Sequence, residues 1–93
     1  MNLFKEKLHA AIQEYNKYRA PEVVAELVQV GEKDFGVFFS GSFWCRSCGV
    51  YDYLDDLRII LEDLGIRVRI DKFEEFDDGV FAVYIVEGDE KYD

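Results

Sequence analysis

From Leu3 to Tyr18 the apolar positions Phe4, Leu8, Ala11, Ile12 and Tyr15 recur at steps of three and four, which sets them along one stripe of a helix. The pattern predicts a helix over about residues 2–18, closed by Pro21. The stretch EVVAELVQV at 22–30 reads two ways. Pro21 would suit the first turn of another helix, whereas valine at 23, 24, 28 and 30 favours an extended chain. Strand is the stronger reading. GEKD at 31–34 then makes a turn, and FGVFFS at 35–40 returns as the second arm of a hairpin.

The second half repeats this order. Val50, Tyr53, Leu54, Leu57, Ile60, Leu61 and Leu64 share one face, with most of the carboxylates elsewhere, so an amphipathic helix is expected over about 45–64 with its end at Gly65. Arg58 stands three residues after Asp55 and four before Glu62, spacings that let it pair with both. IRVRI at 66–70 alternates strictly, which predicts a half-buried strand over about 66–71 with Ile66, Val68 and Ile70 inward. DKFEEFDDG reads as an acidic, solvated turn with Phe73 and Phe76 dipping into the core; it lacks the ordered oxygen ligands and central glycine of a calcium loop. VFAVYIV is apolar on both faces, as expected of a central strand over about 80–87, and residues 88–93 form a polar tail.

The expected fold is therefore α+β: one domain of order α-ββ-α-ββ, a four-stranded, mainly antiparallel sheet with two helices packed on it. An internal echo accompanies the order. Asp34 and Asp78, 44 residues apart, each precede a strand containing Gly-Val-Phe.

Composition changes the picture in two ways. With 49% apolar residues and 15 aromatic side chains in 93 positions, the chain can bury a core without disulfides. The net charge of −9 is also unevenly spread: residues 1–20 carry +2 and the remainder −11. Such a domain repels phosphate backbones and anionic lipid, so neither nucleic acid nor a membrane is an expected partner, and a basic protein is more easily accommodated. No apolar run of roughly 18 residues exists, and MNLFKEKLHAAI lacks the apolar stretch of a signal peptide, so a cytoplasmic location is expected. Two Asn, two Gln, one Pro and dense charge are compatible with a thermophilic source.

The only two cysteines stand in FFSGSFWCRSC, with Arg46 and Ser47 between Cys45 and Cys48. At a helix start several backbone N–H groups lack partners and the helix dipole is positive, so both stabilise a thiolate at Cys45. Arg46 adds a full positive charge, and the Cys45 thiol is expected below the free value of about 8.5. Asp52, Asp55 and Asp56 oppose this from further along the helix. A disulfide enclosing so few residues would stabilise little, which favours chemistry over stapling.

Strand, Trp44, CxxC and amphipathic helix together resemble the active-site segment of thioredoxin-like disulfide oxidoreductases, over residues 35–64. The resemblance implies thiol–disulfide exchange with protein thiols or disulfides: Cys45 attacks, Cys48 resolves, Arg46 tunes, and Phe43, Trp44 and Ser47 contact the substrate. It implies no cofactor. That family places a cis-proline beside the dithiol, and here no proline follows Pro21.

Two other readings stay open. Cys45 and Cys48 would supply two ligands to zinc or iron, with a homodimer pooling two pairs into a four-cysteine site; His9, the one histidine, reads as a surface residue. Alternatively the cysteines are incidental and the chain is a protein-interaction module, with Phe43 and Trp44 as its contacts.

Overall fold

The computed structural model describes residues 3–19, 22–41 and 50–89. Helix α1 (Leu3–Arg19) leads into the hairpin β1 (Val24–Val30) and β2 (Asp34–Ser40); helix α2 (Val50–Asp63) leads into the hairpin β3 (Ile66–Phe76) and β4 (Gly79–Asp89). The order is α-ββ-α-ββ, and every strand pair is antiparallel. In the sheet the strands lie β1-β2-β4-β3, so each hairpin contributes one central strand and one edge strand.

Both helices lie on one face of the sheet, and the core is the layer between. From α1 it takes Leu8, Ala11, Ile12 and Tyr15, from α2 Leu54, Leu57 and Leu61, all buried. The sheet contributes alternate residues: Ala25; Phe35, Val37 and Phe39; Ile66 and Val68; Val80, Ala82 and Tyr84. Register explains the alternation, because Phe35 faces Tyr84, Val37 faces Ala82 and Phe39 faces Val80 across the central pair. Phe35 and Tyr84 stack with ring centroids 5.1 Å apart.

Two tyrosine hydroxyls fasten α2. Tyr84 donates to the Leu54 carbonyl at 2.8 Å and Tyr15 to the Tyr53 carbonyl at 3.0 Å. Arg58 bridges Asp55 at 2.5 Å and Glu62 at 3.7 Å, as the spacing predicted. The helix closes at Gly65, whose φ of 92° is left-handed and suits a residue without a Cβ. Leu64, expected on the apolar face, lies just past the last helical turn and is exposed.

The acidic stretch after Ile70 corrects the sequence reading. Residues 71–76 are not a turn but the second half of β3, paired with 79–83 of β4, and only Asp77 and Asp78 connect the strands. Phe73 and Phe76 do not enter the core; they are 40% and 42% exposed. β4 is long and apolar, and its backbone needs a partner along its whole length. That non-local demand overrides the loop-like composition of DKFEEF.

Among the described residues no helix covers the other face of the sheet. It carries Phe38 of β2, Phe81, Val83 and Ile85 of β4 and, by register, Lys72, Glu74 and Phe76 of β3. Phe38 and Phe76 lie 6.5 Å apart, centroid to centroid.

Candidate functional site

The six residues singled out by the motif, Phe43, Trp44, Cys45, Arg46, Ser47 and Cys48, all lie outside the described residues. What the structure supplies is the frame on either side of them. β2 enters the segment with Phe39 fully buried, and α2 leaves it with Leu54 and Leu57 fully buried, so both flanks are anchored in the core. Gly41 fixes the exit from β2. A Cβ there would collide with the Glu22 carbonyl oxygen and with Glu22 C at 2.7 Å, so only glycine allows the chain to pass so close to the start of β1. Ser40, just before it, pairs with both Val24 and Gly79. β2 therefore ends at the end of the sheet where the β3–β4 turn lies.

Between the helices, a depression of about 220 Å³ is lined by Tyr15, Tyr18, Arg19, Asp56, Ile59 and Ile60. The Arg19 guanidinium pairs with the Asp56 carboxylate and lies 5.8 Å from the centre of the Tyr53 ring. Burial pushes the Tyr15 phenol far above the ordinary tyrosine range, against the opposing pull of Arg19 and with smaller support from Asp56 and Tyr53. A phenol so held stays protonated at neutral pH and works as a donor to Tyr53. The cluster clamps α1 to α2, with the Arg19 guanidinium matched by the Asp56 carboxylate.

His9 is exposed on α1 and borders a shallow depression with Lys5 and residues 27–30 of β1. Among the described residues no three His, Cys, Asp or Glu side chains converge to hold a metal ion. No helix among them is long and apolar enough to cross a membrane.

Sequence reasoning missed two features. The first is the aromatic face turned away from α1 and α2, whose signal lay in the alternation of GVFF and VFAVYIV: if Val37, Phe39, Val80 and Ala82 face the helices, Phe38 and Phe81 must face away. The second is the edge of β1. Asn16 donates from Nδ2 to the Ala25 carbonyl at 3.0 Å and accepts at Oδ1 from the Ala25 N–H at 2.7 Å, as a neighbouring strand would. No local sequence signal marks that pairing.

No protein-family model matches the chain, and no curated protein matches it.

Proposed function

We propose that the protein is a small cytoplasmic thiol–disulfide exchange protein acting on protein thiols or disulfides, with Cys45 and Cys48 as its working pair. The succession of a core-anchored strand, a CxxC segment and an amphipathic helix carries this reading: β2 ends at Ser40, Cys48 stands two residues before Val50, and α2 runs on from Val50 with its apolar face buried.

In the reducing direction the Cys45 thiolate attacks one sulfur of a substrate disulfide, forming a mixed disulfide and expelling the other sulfur as a thiolate that takes up a proton. The Cys48 thiolate then attacks the Cys45 sulfur, closes the Cys45–Cys48 disulfide and releases the second substrate thiolate. Two electrons pass from the dithiol to the substrate, and the reverse sequence oxidises a substrate dithiol. Arg46 favours the Cys45 anion by its charge; Phe43, Trp44 and Ser47 flank the reacting sulfur.

The deciding experiment is the thiol titration of Cys45, followed through thiolate absorbance in a Cys48→Ser variant, alongside reduction of a test protein disulfide by the wild type. Ionisation well below about 8.5 with turnover supports the reading. A value at or above it with no turnover ends it, and stoichiometric zinc or iron in reduced protein replaces exchange by coordination.

A further inference from the structure

The two edges of the sheet are finished differently. β1 is short, is bulged at Val28 between Leu27 and Gln29, and has the outer hydrogen-bonding groups of Ala25 taken by Asn16. Each is a way of closing an edge against further pairing. β3 is longer, and its two halves contrast. Over 66–70 it alternates buried and exposed residues under α2; from Asp71 to Phe76 every residue is exposed. This second half pairs with β4 on one side, and as the last strand of the sheet it has no strand partner on its other side among the described residues.

The side chains there are unusual for a closed edge. Phe73 and Phe76 are large and two-fifths exposed. Lys72, Phe73 and Glu74 line a depression of about 340 Å³ with Phe81 and Val83. Residues 71–78 carry five carboxylates against the single ammonium of Lys72; Asp71 is partly answered by Arg69 at 3.8 Å. Edge charges commonly serve only to prevent pairing. Here their sign is nearly uniform, so they reject an acidic strand and attract a basic one. A second copy of this chain is the poorest candidate, because β3 against β3 would set carboxylate against carboxylate between molecules of charge −9.

We propose that residues 71–76 of β3 are a docking edge for an extended, basic segment of a partner polypeptide, which adds to the sheet as a fifth strand. Its backbone continues the ladder beyond β3; by register Glu74 and Phe76 lie on the face that bears Phe38 and Phe81, and Phe73 and Glu75 on the other, so an alternating guest sets its apolar side chains against Phe76 and its Lys or Arg residues against Glu75, or, turned over, against Phe73 and Glu74. The inference uses no residue of the cysteine segment and stands apart from the exchange chemistry.

The probe is a labelled heptapeptide of alternating lysine and valine, titrated into the full chain at low salt, with anisotropy giving affinity and amide chemical shifts giving location. Binding is expected with shifts concentrated on residues 71–83, unchanged in a Cys45→Ser/Cys48→Ser variant, and weakened about tenfold by Glu74→Lys with Glu75→Lys. Both glutamates are exposed, so the variant keeps its fold, verified by circular dichroism. The same peptide N-methylated at alternate residues, which removes ladder hydrogen bonds but not charge, should fail to bind. The proposal is overturned if the N-methylated or a glutamate–valine peptide binds equally well, if shifts map elsewhere, if no binding occurs, or if sedimentation shows the chain pairing with itself through this edge.

Discussion

Phe38 on β2 stands directly opposite Phe81 on β4, and each ring lies over the other's neighbouring glycine: Phe81 over Gly36, Phe38 over Gly79. The two Gly-Val-Phe triples therefore meet across a local two-fold, since Gly36 faces Val83 and Ser40 faces Gly79 at equal distances on either side of the Phe pair. An alanine methyl at Gly36 would sit 2.5 Å from Phe81 Cζ, the tip of a side chain that can turn aside. At Gly79 the methyl would meet the Phe39 carbonyl oxygen, which cannot. Gly79→Ala should cost about 2–3 kcal/mol and Gly36→Ala clearly less, by urea unfolding. Adding Phe81→Ala should erase the Gly36→Ala penalty and leave that of Gly79→Ala, a difference a double-mutant cycle resolves.

Asn16→Ala removes both hydrogen bonds to Ala25 and should lower stability by about 1–3 kcal/mol. The amide exchange of Ala25 should quicken as well. Asn16→Asp keeps the acceptor but loses the donor, so its amide at Ala25 should stay the better protected of the two.

Tyr15→Phe should cost about 1 kcal/mol at neutral pH through the lost bond to Tyr53. The pH dependence follows from burial, which holds the folded phenol protonated after the unfolded chain, ionising near about 10, has released its proton. The folded state then binds more protons than the unfolded one. Tyr15 thus contributes fully below about pH 10 and progressively less above it. Unfolding curves taken on either side of that pH should show the parent losing stability more steeply than the variant.

Leu57→Ala and Leu61→Ala open cavities between α2 and the sheet at positions with no exposed surface, and each should cost about 2–5 kcal/mol. Ile59→Ala, on the exposed side of the same helix, should change stability by no more than about 0.5 kcal/mol. Asp56→Asn breaks the pair with Arg19, but both side chains are about a third exposed, so the loss should stay below about 1 kcal/mol and shrink with added salt.

Much of the fold was legible because its signals are local. Leu54, Leu57 and Leu61 repeat with the helical period, Arg58 has partners at both spacings, and IRVRI alternates as its burial does. The echo of Gly-Val-Phe was visible too, though nothing in the sequence says that the triples face each other. DKFEEF misled because its composition is that of a loop, whereas its conformation is imposed by β4, a partner with no local signature. The Asn16–Ala25 pairing was invisible for the same reason. The cysteine segment was found by its motif alone, and its residues lie outside those the structure describes.

The plugged margin at Ala25 has a bearing on assembly. A ribbon lengthens indefinitely only when both selvedges accept another thread; here one is sewn shut. Copies of this chain therefore cannot run on as one continuous ribbon by laying the β3 of one along the β1 of the next at Ala25.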